Sequence, residues 1–178
     1  MSCNCFNGKA PFPKNASFLR KLELSKCHCE SRFVVSEKSE RFYIQSKEKD
    51  AVEKYKIDGY FDTDTSEGHI KCDYYFLCHT IERPNISIFV ELKGGNVSKA
   101  LDQIEATFKR FVANGYYADK QGAIVRCAIV NSRYPSNDST FRANKNKFQK
   151  RYQQYNMIVE NHNRNLGYNP QTDKFIKD

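Results

Sequence analysis

The chain has 178 residues, of which 39% are hydrophobic, 13% aromatic and 28% charged. That length fits one domain able to bury its own core without disulfide staples, and the aromatic content excludes a disordered, collagen-like or mucin-like chain. No apolar run approaches the ~20 residues a membrane span needs, while 29 Lys and Arg against 21 Asp and Glu give a net charge of +8, the sign that attracts polyanions such as nucleic acid.

Residues 1–14 read as irregular, because Gly8, Pro11 and Pro13 break any periodicity. The first residues lack the basic-then-apolar pattern of a secretory signal, and seven scattered Cys favour reduced thiols in a cytoplasmic protein. Asn15 or Ser17 is suited to cap a short helix bearing Phe18, Leu19 and Leu22 on one side. Short strands are predicted at 32–35 and 42–45, and a longer one at 52–62, where Tyr55, Ile57, Gly59 and Phe61 alternate. A turn cluster at 62–68 precedes strands at 71–81 and 86–93, joined by a tight connection around Arg83 and Pro84. Gly94-Gly95-Asn96 ends the second of these; the two glycines mark a sharp strand-to-helix turn, since the Lys-Ser/Thr of a phosphate-binding P-loop is missing.

A helix follows over 97–112, with Val97, Leu101, Ile104, Phe108, Phe111 and Val112 forming one apolar stripe and Asn114-Gly115 ending it. Residues 123–131 are almost continuously apolar, interrupted only by Arg126, as in a strand buried on both faces. A helix is predicted over 140–155 and a short strand over 157–159, and the Asn-rich tail from Asn161 onward reads as loosely ordered. The expected fold is a single α/β domain over 1–178 with a mixed, mostly antiparallel central sheet flanked by helices. It divides into an N-terminal extension with a short helix (1–31), a core (52–131) and a basic C-terminal helix and tail (139–178).

The informative stretch is the pair of strands at 71–81 and 86–93. Ile86, Ile88, Val90 and Leu92 alternate toward a core, which puts Glu91 and Lys93 together on the other face. Folding the hairpin about Arg83 and Pro84 gives an even register, in which Asp73 joins Glu91 and Lys93 while Tyr74, Phe76 and Cys78 join Ile88, Val90 and Leu92. Two neighbouring carboxylates beside an ammonium offer hard oxygen ligands for Mg²⁺ or Mn²⁺ and a cation to steer an attacking water, a set of parts that suits phosphodiester hydrolysis. The alternative is a solvated hairpin with ordinary charges.

Asp73 at the start of one strand, Glu91-Leu92-Lys93 ending the next, the helix after it and the apolar strand at 123–130 resemble the PD-(D/E)xK nuclease superfamily, the restriction-endonuclease-like fold. The resemblance covers residues 55–130. It implies that Asp73, Glu91 and the Leu92 carbonyl hold Mg²⁺ or Mn²⁺, that Lys93 assists the water, and that Gln103 on the following helix orients the site. Cys72 stands where the eponymous motif has Pro. Some branches draw a Glu from the first helix, and Glu23 is the only placeable candidate. The implied function is a metal-dependent endonuclease in defence, restriction or repair, with DNA favoured over RNA by family habit and a homodimer left open. The open alternatives are a non-catalytic nucleic-acid-binding or protein-interaction module, and an RNA-cleaving toxin or effector.

The last forty residues carry eight Lys and Arg against three acids, most of the excess charge. Arg142, Lys145, Lys147, Lys150 and Arg151 interleave with Phe141, Phe148, Tyr152 and Tyr155 at helical spacing, which reads as a helix docked by its aromatic side and presenting cations to backbone phosphate. The competing reading is a solvated helix. Cys3, Cys5, Cys27 and Cys29 could make a four-thiolate zinc site, but structural zinc usually takes pairs separated by two to four residues. His79 reads as a half-exposed strand residue, and His28, His69 and His162 share no ligand spacing. No Ser or Cys has a triad context.

Overall fold

The computed structural model describes residues 12–13, 15–27, 33–46, 51–59, 61, 68–81, 83–93, 96–118, 122–132 and 139–177. The irregular N-terminal stretch up to residue 11, the turn cluster at 62–67, Gly94-Gly95, His28, and the Cys3, Cys5 and Cys29 of the zinc reading lie outside them. Nine strands and three helices follow in the order α1 (Phe18–Leu24), β1 (Val34–Glu37), β2 (Glu40–Ile44), β3 (Val52–Lys56), β4 (Tyr74–Cys78), β5 (Ile86–Lys93), α2 (Val97–Ala113), β6 (Ile124–Asn131), α3 (Ser139–Arg151), β7 (Ile158–Asn163), β8 (Asn165–Asn169) and β9 (Lys174–Lys177) among the described residues. A short 3-10 turn, Gln153–Tyr155, links α3 to β7.

The strands form two mixed sheets, ordered β3-β4-β5-β6-β7 and β1-β2-β8-β9. In the larger, β3, β4 and β5 are antiparallel neighbours, while β5, β6 and β7 run parallel. The parallel half needs crossovers, and α2 and α3 supply them. Both helices cover one face, because the same buried cluster joins Tyr75, Phe89, Cys127 and Val159 of the sheet to Leu101, Phe108 and Phe111 of α2 and Phe141 and Phe148 of α3. Phe111 sits at the centre of this layer, its ring 4.9 Å from Tyr75, 5.1 Å from Phe89 and 5.1 Å from Phe18.

The predicted α/β class and mixed sheet hold, with one correction to the layering. Helices cover only one face; the other is covered by the smaller sheet, through Phe42, Ile44, Leu166 and Tyr168 against Phe76, Ile88, Val90 and Ala128. The tail beyond Asn161, expected to be loose, is ordered into β7, β8 and β9. The Asn-rich composition hid this, because the apolar residues that bury β8 are only Leu166 and Tyr168 around Gly167, and its partner is β2, far away in sequence. Gly167 makes room for Tyr43: a Cβ there would fall 2.3 Å from the Tyr43 ring, which would have to move aside. Two apolar assignments also change. Leu19 and Val112 face solvent, the first 57% exposed, so the stripes of α1 and α2 are narrower than expected.

Arg164, in the left-handed region at φ 62°, turns the chain from one sheet to the other. Its N–H donates to Asn131 O (2.7 Å) in the large sheet and its carbonyl accepts from Arg41 N–H (2.7 Å) in the small one. The layers are also bolted by Arg126, the one charge in β6. Its guanidinium is buried and donates to both Asp173 carboxylate oxygens, at 2.8 and 2.6 Å, and to Asn156 O at 2.5 Å. Burial alone would raise the Asp173 pKa, but bonds from Arg126 and from the Tyr168 hydroxyl outweigh it and hold the carboxyl below its ordinary value. Removing one partner of such a pair strands the other. Arg126→Ala is therefore expected to cost about 3–5 kcal/mol in urea unfolding; a loss under about 1 kcal/mol would show that the fork contributes little.

Candidate functional site

The β4–β5 register is even throughout: Tyr74 faces Val90, Phe76 faces Ile88 and Cys78 faces Ile86. Tyr75 and Phe89 accordingly join the helix-side core, and Phe76, Cys78, Ile88, Val90 and Leu92 the inter-sheet core. Asp73 lies one step before β4, level with Glu91, as the alternation demands. Its Oδ2 accepts from Leu92 N–H at 2.7 Å, so a side chain extends the ladder just before β4 begins. Leu92 enters the site through this amide, while its side chain belongs to the core between the sheets.

Asp73, Glu91, Lys93 and Gln103 are brought together. Lys93 Nζ lies 3.7 Å from Glu91 Oε1 and donates to Gln103 Oε1 at 3.1 Å. Gln103 Nε2 donates in turn to Lys71 O at 2.8 Å. The Glu91 side chain is 2% exposed and that of Lys93 29%, so the acid is walled in and the amine reaches solvent. Glu91 Oε2 is buried with no hydrogen-bond partner among the described residues. Burial, then the Asp73 charge, pushes the Glu91 carboxyl up to about 9, with Lys93 pulling the other way. Burial also raises Asp73, to about 6, against the lowering effect of its Leu92 N–H bond.

A buried acid that repels its neighbour and leaves an oxygen unmatched fits a hard divalent cation such as Mg²⁺ or Mn²⁺, which would supply the missing charge and take the orphan oxygen. Asp73 and Glu91 would be its side-chain ligands. Among the described residues no group of three or more His, Cys, Asp or Glu side chains gathers as a metal cluster. Among the described residues, a cation here would be held by the Asp73 and Glu91 carboxylates, with other oxygens completing the shell.

Several neighbours escaped the sequence reading. Asp58, after β3, faces Lys71 at 3.5 Å and its charge is felt by both Asp73 and Glu91. Asn131 ends β6 directly beside Lys93, and Asn163 ends β7 beside Asn131. Among the described residues, neither Asn131 side-chain atom nor Asn163 Oδ1 has a hydrogen-bond partner, though all three are buried. They line the carboxyl edge of the parallel strands, where α/β sheets commonly place ligands. Glu23 is exposed on α1. His79 is exposed, as expected, and its Nε2 sits 3.2 Å from Glu53. Cys27, Cys72, Cys78 and Cys127 are buried, and burial pushes the Cys78 thiol up to about 12, far from nucleophilic chemistry.

On α3, Phe141 and Phe148 are buried while Arg142, Lys147, Lys150 and Arg151 are exposed and Lys145 is half-buried. The aromatic docking side and cationic outer side are thus laid out as the spacing required. Arg151 is partly neutralised: it donates to Glu105 at 2.5 Å, an acid shared with Lys109 at 3.0 Å. No helix among the described residues is long and apolar enough to cross a membrane.

No family model, curated protein or solved structure matches the chain.

Raised carboxyl pKa values tie stability to pH. The native state holds protons that the unfolded chain releases between the ordinary carboxylate range and about 9, so stability is present at low pH and lost as pH rises through that window. In EDTA, melting temperature is expected to fall from pH 5 toward pH 9, and Glu91→Gln is expected to flatten the slope. A wild-type profile as flat as that of the variant would show that Glu91 carries no extra proton.

Proposed function

We propose that the chain is a divalent-metal-dependent nuclease of the PD-(D/E)xK kind, acting on DNA in preference to RNA. The observation carrying this reading is the unmatched, buried Glu91 carboxylate oxygen beside Asp73, with the Lys93 ammonium within 3.7 Å. Perturbed, buried acids beside a second carboxylate and a cation cluster at functional sites, which supports reading this one as a binding site. A divalent cation, when bound, supplies Lewis-acid activation of the phosphodiester and lowers the pKa of water.

The chain's own residues would do the rest. Asp73 and Glu91 provide the anionic cradle. Lys93, the solvent-reaching member, orients the attacking water and offsets charge developing on phosphorus. Gln103 fixes Lys93 by accepting from its ammonium. The exposed cations of α3, the helix between β6 and β7, hold backbone phosphate.

Plasmid, single-stranded DNA and RNA, offered side by side with Mg²⁺, Mn²⁺ or EDTA, test the proposal. Cleavage is expected only with metal, and Asp73→Ala and Lys93→Ala are each expected to reduce it by about a hundredfold or more while the proteins stay folded. Cleavage that survives EDTA or Lys93→Ala would refute the mechanism. A second reading, a non-catalytic nucleic-acid-binding module, draws on the fact that Asp73 and Lys93 are both already engaged by the protein. It requires binding without cleavage, and no loss of binding in Asp73→Ala. Preferred cleavage of RNA would instead point to an RNA-directed effector.

The phosphate role of α3 has its own signature. Replacing Arg142, Lys147 and Lys150 together with Ala should weaken duplex binding uniformly across sequences and lower the slope of log K against log salt by about 2.7 if all three meet phosphates. Arg151→Ala should change it less, because Glu105 already offsets that charge. An unchanged slope in the triple variant would mark α3 as a bystander.

A further inference from the structure

Asp73 is held from behind by a row of α2 side chains. Gln103, Thr107 and Arg110 lie at intervals of four and three on one helix and so share a face. Each engages one residue of the three that lead into Asp73. Arg110 Nη2 donates to Ile70 O at 2.7 Å, Gln103 Nε2 to Lys71 O at 2.8 Å, and Thr107 Oγ1 accepts from Cys72 N–H at 2.8 Å. The Thr107 hydroxyl hydrogen is directed to Gln103 O at 3.0 Å, which leaves its lone pairs for the Cys72 amide. These backbone groups precede β4, which begins at Tyr74.

We infer that Thr107 and Arg110, together with Gln103, are positioning residues that set Asp73 against the Leu92 amide. The inference rests on the reading of Asp73 as a functional acid. Three consecutive residues fixed to a rigid helix leave the next carboxylate little freedom, which is what a preorganised ligand needs. Gln103 has a double duty, because the carboxamide that holds Lys71 O also accepts from Lys93. A carboxylate at that position could keep the second contact but not the first. The row therefore joins both halves of the site: the segment before β4 that carries an acid, and the end of β5 that carries the amine.

The alternative is that these bonds only satisfy backbone groups, in which case breaking one lowers global stability without a selective effect at Asp73. Hydrogen exchange at the Leu92 amide, the donor to Asp73, separates the two in the full-length protein. In Thr107→Val, Leu92 protection is expected to fall at least about tenfold relative to Val90 of the same strand, and Mn²⁺ affinity by about tenfold. Thr107→Ser should restore both. Arg110→Met, read in the same way, carries the test should Thr107→Val fail to fold. Unchanged relative protection at Leu92 in a folded variant, or no rescue by Ser, would overturn the inference. Selective loss of Leu92 protection in a protein whose wild type binds no Mn²⁺ would uphold the positioning role while removing the metal reading.

Discussion

The even parity with which β4 meets β5 decides both what this domain buries and what it offers. Because side chains alternate with period two, one register choice assigns every residue of both strands at once. Pairing Phe76 with Ile88 seals the layer between the two sheets, and the same choice leaves Asp73 level with Glu91 and Lys93 on the helix side. A slip of one residue would put Glu91 among the aromatics of the small sheet and Phe89 out of reach of Phe111. The apolar residues thus enforce the geometry of the polar ones; the core on both faces holds Glu91 beside Asp73, and a retained proton relieves the repulsion that two ionised carboxylates would feel.

How much of this could be read from residues alone depends on how local each signal is. The hairpin was legible because its strands are adjacent in sequence and strictly patterned, so the Asp73, Glu91 and Lys93 grouping followed from alternation alone. The stripe of α2 and the double burial of β6 were legible for the same reason. The small sheet was not. Its central pairing unites residues 41–44 with 165–168, and nothing in the Asn-rich segment that supplies β8 marks it as a strand apart from Leu166 and Tyr168. Asn131 and Asp58 escaped too, since each joins the neighbourhood through tertiary placement. Thr107 and Arg110 had a readable signal, their helical spacing from Gln103, but it acquires meaning only once the segment at 70–72 is known to lie beneath them.

The polar residues near the site fall into two classes. Some are engaged by the protein: Asp73 with Leu92, Lys93 with Gln103, Gln103 with Lys71. Others are buried yet unmatched, namely Glu91 Oε2, the Asn131 carboxamide and Asn163 Oδ1. Folded proteins match nearly all such groups with protein, water or ion, so these atoms at the carboxyl edge of three parallel strands mark the place where a solvent or ligand atom would be received. The contrast with Arg126 is instructive. That charge is buried just as deeply, in the same sheet, but every face of its guanidinium fork meets an acceptor.

The parallel contact between β2 and β8 has a consequence for how the chain reaches its native state. Phe42 and Ile44 acquire their cover only when a segment more than a hundred positions downstream arrives beside them. Loop closure on that scale is slow, and until it happens one greasy side of the larger sheet stays open to water and to other chains. During synthesis the helix-covered half can consolidate early, whereas the second layer must wait for the last strands to leave the ribosome. Self-association in this interval, more than any weakness of the finished fold, is the hazard built into the topology.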